Sequence, residues 1–318
     1  MISHKIKKDF GEKIGAYVGI IESIINSLPK SRITYSIMPV DSFKDIIDVG
    51  SINKIYWDEL LGRAHFAAIT SIIRSYRWLQ GMIAAQDSGV VLPYCASYRG
   101  LIESVADSYY SLKDVAPNLA GHKNIINSIL SGKIELPKEG QVLISKELEN
   151  LLIHYSHAKV SKGADEGQPR QNAKPNSFYI DVLKKANVQN VSEIYSELCQ
   201  YVHPSSDSIS YLCEFIEQDK FSVYINREKQ MIEYFTKKYK GTMIDLIMHG
   251  FTPSIIILKV LLHYNAPMYH SKIADGINCS SVPAWVNCEG LLRVDKIPVH
   301  QSGKYKYNLP SSPGGSVA

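Results

Sequence analysis

Two long amphipathic segments separated by a single breaker constrain this 318-residue chain more than any other feature. From Ile55 to about Gln86, the residues Leu60, Ala64, Ala67, Ile72, Trp78 and Ile83 recur on or near one side of a helix. Gly89 interrupts that pattern. A second run extends from Pro93, a residue suited to a first helical turn, to Lys113. Its stripe is Tyr94, Tyr98, Leu101, Val105, Tyr109 and Leu112. Two long helices with so short a connection read as an antiparallel pair.

The rest of the chain reads in the same style. Ile14, Val18, Ile21, Ile25 and Leu28 predict one helix over residues 9–28, closed by Pro29, and shorter helical pieces fill 116–157. Residues 159–175 hold one Val, two Ala and no other apolar side chain, the composition of a flexible loop or disordered insert. Helices resume at Ser177 and at Val191 to His203. Asp207 is a candidate cap for another, with Ile209, Leu212, Cys213 and Ile216 on its face. Residues 221–225 alternate as a short strand would, and Glu228 to about His249 is helical.

Composition narrows the class without naming a function. Hydrophobic residues at 45% and charged residues at 21% exclude collagen-like, disordered and disulfide-scaffold chains. A net charge of +4 is too mild to announce nucleic acid. The five cysteines form no C-x-x-C and are odd in number, the usage of a reducing cytosol. The basic start MISHKIKK leads into an apolar run that ends at Glu22, too short for a secretory signal. The apolar stretch Ile255 to Leu262 carries Lys259 and falls short of a membrane span. The expectation is a soluble, cytoplasmic protein without a membrane partner or a cofactor.

After Gly250 the pattern changes to three short helices, over 253–264, 271–277 and 282–289, followed by alternating runs at 292–297 and 305–309. The stretch ILKVLLHYNAPMYHSKIADGINCSSVPAWVNCEGLLRV, then KYKYNL, resembles the winged helix-turn-helix family over residues 252–310. The resemblance implies that Ser280, Ser281, Ala284, Trp285 and Asn287 lie on or near a recognition helix. It also implies that Arg293, Lys296, Lys304 and Lys306 flank or form a wing that meets phosphates of DNA or RNA. The third helix departs from the family in being about one turn short and in carrying no Arg or Lys. Such lobes also dock proteins. His270, Cys279, Cys288 and His300 lack the close Cys pair that anchors zinc, so buried cysteines are expected there and no metal.

Within the long pair, Arg99 and Glu103 stand four residues apart beside the apolar stripe. The Arg-before-Glu order is the weaker one for helix support, which points to a partner from elsewhere. His203 ends the later stripe of Tyr195 and Cys199, and Pro204 sets the chain direction there. The segments PYCASYRGLIESVADSYYSL and YSELCQYVHPSSDSISYL together resemble bacterial proteins with an R-x-x-x-E and a Y-x-H-P motif, related to the HEPN helical superfamily, over about residues 55–220. The resemblance implies an up-and-down helical bundle with a long antiparallel pair, commonly dimeric and often an RNase of toxin and phage-defence systems. HEPN RNases use R-x4-6-H, and the only R-x6-H here, Arg293 to His300, holds Pro298 and lies outside any helix. The chemistry would have to be rebuilt from Arg99, Glu103 and His203; a structural network fixing helix register is the alternative.

The expected architecture is mainly α: a HEPN-like body over 1–250, a winged-helix-like domain over 252–310 and a disordered tail over 311–318. The expected function is a nucleic-acid-associated regulatory or phage-defence protein. A metal-independent toxin-type RNA endonuclease, and a non-catalytic assembly protein that docks a protein through its winged lobe, are the other two readings.

Overall fold

The structure is a computed structural model and describes residues 1–29, 32–38, 46, 48–133, 143–158, 173–218, 220–224 and 227–294. It is mainly α. The two long predicted segments are α3 (Val49–Ser88) and α4 (Val91–Leu112). Asp48 starts α3 by accepting hydrogen bonds from Gly50 and Ser51 N–H at 3.1 and 2.8 Å. Gly89 ends it in the left-handed region at φ 69°, where a side chain would be strained. The two helices pack antiparallel through small residues. A Cβ on Gly81 would lie 3.0 Å from Ser97 Oγ, and one on Gly100 would lie 2.7 Å from the Trp78 ring. Trp78 therefore rests across the backbone of α4 and stays partly exposed, outside the buried stripe to which periodicity assigned it.

Flanking elements complete the bundle: α1 (Ile2–Phe10), α2 (Glu12–Ser27), α5 (Val115–Leu130), α6 (Lys146–His157), α7 (Asn176–Lys185) and α8 (Val191–Val202). The helix expected over 9–28 is present as α2, but helix already begins at Ile2 as α1, in a helical run longer than expected. Gly11 breaks it at φ 104°, and a Cβ on Gly15 would fall 2.4 Å from Lys7 Cβ, so the two helices touch backbone to backbone. Glu22 holds the start of α1: its carboxylate accepts from Ile2 N–H, Ser3 N–H and Ser3 Oγ at 2.7, 3.2 and 2.6 Å, and from Tyr76 OH at 3.0 Å. Burial pushes this carboxyl up, but those donors together hold it below the usual carboxylate range.

A second correction concerns 207–217. Only Asp207–Ser210 is helical (α9); Cys213–Glu217 is a strand (β1) paired antiparallel with Lys220–Val223 (β2). The spacing of Ile209, Leu212, Cys213 and Ile216 suits a helix face, but of these Leu212 alone packs against the core. Ile209 and Ile216 stand in solvent, so the helical pattern had too little burial to stabilise it.

The third correction is at Gly250. After α10 (Glu228–Lys238), α11 runs unbroken from Lys240 to Leu261 through Gly250 and Pro253. A Cβ on Gly250 would meet Val105 of α4 at 2.7 Å, so glycine here permits close packing and does not end the helix. An interior proline costs about 3 kcal/mol. Phe251, Ile255, Ile256, Ile257, Leu258, Val260 and Leu261 are all buried, and each such side chain contributes roughly 1.5–3 kcal/mol, so burial outweighs the proline. By length and composition alone α11 is apolar enough to cross a membrane, but 72% of that window is buried inside the protein against α3, α4 and α5. The expected domain boundary at 250–252 falls within this helix.

Beyond α11 come a 3-10 turn (Pro267–Tyr269), α12 (Lys272–Asp275) and α13 (Pro283–Leu292). Lys259 joins them to the bundle: its buried Nζ donates to the carbonyls of Ala274, Asp275 and Ile277 at 3.2, 3.4 and 2.8 Å and lies 5.0 Å from the Trp285 ring centre. It caps the end of α12 from the side. Residues 295–318, which contain Lys296, Lys304, Lys306, His300, the predicted tail and all of the predicted wing but 292–294, lie outside the described residues, as do 159–172 of the predicted loop; within 292–294, Leu292 ends α13 and is not strand.

One buried group gives the fold a pH dependence. His65 on α3 is 8% exposed, and its Nδ1 is hydrogen-bonded to Tyr35 OH at 2.7 Å. Burial lowers the imidazole from its ordinary 6.5 to about 4. The folded protein therefore binds fewer protons than the unfolded chain between these values. This stability is fully present above about pH 6.5 and is lost as pH falls through about 4, at a cost reaching about 3 kcal/mol. Urea unfolding from pH 7 to 4 should show a midpoint that falls less steeply in His65→Gln than in the parent protein. Parallel curves would remove His65 as the cause.

Candidate functional site

Arg99 and Glu103 occupy adjacent turns of α4, with the Arg99 Nε–Glu103 Oε1 distance at 3.0 Å. The third member arrives from 104 residues away. α8 ends at Val202, and Pro204 forces the preceding residue out of helical geometry; His203 accordingly adopts φ −89°, ψ 153°. That turn aims its exposed ring at α4, where Nε2 lies 2.9 Å from Arg99 Nη1. A guanidinium only donates, so Nε2 accepts and the proton of the neutral ring sits on Nδ1.

Two further side chains lock the arrangement. Tyr195, two turns before His203 on α8, donates to Glu103 Oε1 at 2.6 Å, and its ring centre lies 5.5 Å from the Arg99 guanidinium carbon. Asn176, the first residue of α7, donates to the same Oε1 at 3.2 Å and to Tyr195 Oη at 2.9 Å. Burial followed by the adjacent carboxylate raises the Tyr195 phenol to about 12, so it remains a donor at neutral pH. Desolvation works against the Arg99 charge, but Glu103 and Tyr195 overcome it and raise its pKa. The side chains of Arg99 and Glu103 are 20% and 35% exposed, so the cluster lies at the surface with Glu103 as its anchored end and His203 as its open end.

One turn further along α4 lies a second ionic group that periodicity did not reveal. Asp107 Oδ2 accepts from Arg74 Nη2 of α3 at 2.6 Å, and that Nη2 also donates to Ser108 Oγ and the Ser104 carbonyl at 2.9 and 3.3 Å. Tyr179 of α7 donates to Asp107 Oδ1 at 3.3 Å, and Arg74 stands 5.1 Å from the Tyr155 ring centre. Positions 99, 103 and 107 thus form one polar stripe of α4. The four-residue repeat was the available signal, but Arg74 lies on another helix and has no local spacing to it.

The C-terminal candidates are placed differently from one another. Ser281 and Asn287 are exposed, Ser281 just before α13 and Asn287 on it, on a face shared with Ala284 and Gly290 and free of charge. Arg293 follows α13 and pairs with Glu289 at 3.0 Å. Trp285 lies on α13 but is buried beneath Lys259, and Cys279 and Cys288 are buried too. From α5, Lys123 Nζ donates to the Leu292 carbonyl at 2.7 Å and Asn124 to that of Val294 at 2.6 Å, which fixes the end of α13 on the bundle. No protein-family model, curated protein or solved structure matches the chain.

Proposed function

We propose that this is a nucleic-acid-associated protein whose bundle uses Arg99 and His203 as a metal-independent site for RNA phosphodiester cleavage. The carrying observation is the exposed Arg99–His203 contact at 2.9 Å, backed by Glu103, Tyr195 and Asn176. RNA supplies its own nucleophile. His203 Nε2 removes the proton of a ribose 2′-hydroxyl, and the 2′-oxygen attacks phosphorus. The 5′-oxygen leaves with a proton from solvent, and the products are a 2′,3′-cyclic phosphate and a 5′-hydroxyl. Arg99 turns its donors from the imidazole to the phosphate oxygens as negative charge builds on them, while Glu103 keeps the guanidinium in place. The partial exposure of Glu103 and His203 favours this reading over a buried register-fixing network. The test is incubation of the full chain with single-stranded RNA, and with DNA of the same sequence, under a chelator. RNA cleavage with cyclic-phosphate ends and intact DNA is expected; equal cleavage of both, or of neither, removes the mechanism.

The C-terminal residues 252–310 contribute phosphate contacts in the same reading. Lys304→Ala with Lys306→Ala should make the slope of log K against log salt shallower by about two units if both lysines touch phosphate. The titration belongs on the full chain, because residues 252–261 are the buried end of α11 and an excised lobe would expose them. An unchanged slope assigns this region to protein docking.

A further inference from the structure

The Arg99 cluster holds two hydrogen-bond acceptors that phosphodiester cleavage itself does not use. Glu103 Oε1 is enclosed by three donors: Arg99 Nε at 3.0 Å, Tyr195 Oη at 2.6 Å and Asn176 Nδ2 at 3.2 Å. Its other oxygen, Oε2, accepts no hydrogen bond among the described residues, and the side chain is 35% exposed. The orientation of the Asn176 amide follows from its partners. A carboxylate oxygen only accepts, and the Tyr195 hydroxyl spends its hydrogen on Glu103. Both therefore require Nδ2, which donates to Glu103 and, at 2.9 Å, to Tyr195 Oη. The amide oxygen Oδ1 is left as a second acceptor without a donor among the described residues, on an exposed side chain.

Both acceptors stand on well-anchored helices. Asn176 is the first residue of α7, and Tyr179, one turn on, ties that helix to Asp107 of α4 at 3.3 Å. Glu103 and Asp107 are themselves one turn apart on α4. The acceptors are thus in place before any ligand arrives. Two neighbouring acceptors select a partner with two neighbouring donors. Of the four RNA bases, guanine alone presents that pair, with N1–H and the N2 amino group side by side on its Watson–Crick edge. Adenine and cytosine present one amino group beside an acceptor ring nitrogen, and uracil presents one N–H between two carbonyls. Each of these sets an acceptor against an acceptor and leaves it unpaired.

We infer that Glu103 Oε2 and Asn176 Oδ1 read guanine, accepting from N1–H and the N2 amino group, in the nucleotide whose 2′-hydroxyl His203 deprotonates, an inference that rests on the cleavage reading above. Arg99 joins the two tasks. Its Nε end holds Glu103 and its Nη1 end meets His203, so base and phosphate lie along one guanidinium. Cleavage then follows guanosine and leaves a guanosine 2′,3′-cyclic phosphate end.

The test uses the full chain without substitution. A single-stranded RNA free of guanine elsewhere carries guanosine, inosine, adenosine, cytidine or uridine at one position, and cleavage there is timed. Binding of the five corresponding 3′-nucleotides is measured by calorimetry. Guanosine should exceed adenosine, cytidine and uridine by about 10–100-fold in both assays, the range for a two-bond base contact. Inosine lacks only the N2 amino group and should lose about tenfold, because Oδ1 is left unpaired. In Asn176→Ala the guanosine-to-inosine ratio should fall to about one by the same reasoning. RNA cleavage without base preference overturns the inference and leaves the cleavage reading standing. No cleavage, with 3′-guanylate still bound preferentially, removes the cleavage reading and keeps the base recognition. Equal binding of all five nucleotides, or a guanosine–inosine difference that persists in a folded Asn176→Ala protein, overturns the assignment.

Discussion

His203→Ala is expected to slow RNA cleavage by about 10²–10⁴-fold, the range for loss of a positioned general base, with little change in stability. His203 is exposed, and its ring nitrogen is bonded to Arg99 alone in the cluster, so its removal opens no cavity. Arg99→Lys should be comparably inactive, because a lysine cannot span Glu103 and the phosphate with separate donors. The energetic side separates a site from a structural network. Arg99→Ala leaves Glu103 one-third exposed and still bonded to Tyr195 and Asn176. Water screens such a carboxylate, so the stability cost should be about 1 kcal/mol or less. A fully buried pair would lose roughly 3–5 kcal/mol on the same substitution. Denaturant midpoints measured beside cleavage rates decide the matter. A large stability loss with unchanged cleavage would identify the cluster as a register device only.

The largest expected effect on stability lies at Lys259. Its ammonium satisfies three backbone carbonyls of 274–277 and lies against Trp285, in a side chain only 8% exposed. Lys259→Ala removes charge-assisted bonds, strands those carbonyls and undercuts the Trp285 ring, for an expected loss of about 2–4 kcal/mol. Lys259→Met restores the apolar stem without the donors and should recover only part of it. Urea unfolding with an unchanged m-value would report this as a stability change, and near-ultraviolet dichroism of the tryptophans would show whether α12 and α13 loosen first. If both variants match the parent protein, Lys259 is not what holds α12 to α11.

Local patterns already carried much of this protein. The stripes of α3 and α4, the breaker at Gly89, the Arg99–Glu103 spacing and the turn at His203–Pro204 follow from helical periodicity and from the geometry that proline imposes on its neighbour. What crosses between elements could not be read that way. Arg99 meets His203 because α8 packs on α4, and Asp107 meets Arg74 because α3 does. Neither pairing leaves a spacing in the chain. The same blindness works on helix boundaries: Gly250 and Pro253 look like breakers, yet α11 passes through them because the core rewards its burial, while the helix-spaced Ile209 and Ile216 find no core and the chain there becomes a hairpin. Sequence alone determined where helices can form and which charges stand beside which stripes, since those depend on neighbours within a few residues. Which helices persisted, and which charges met, was decided by tertiary burial, whose energy per side chain exceeds local propensity and acts between residues a hundred positions apart.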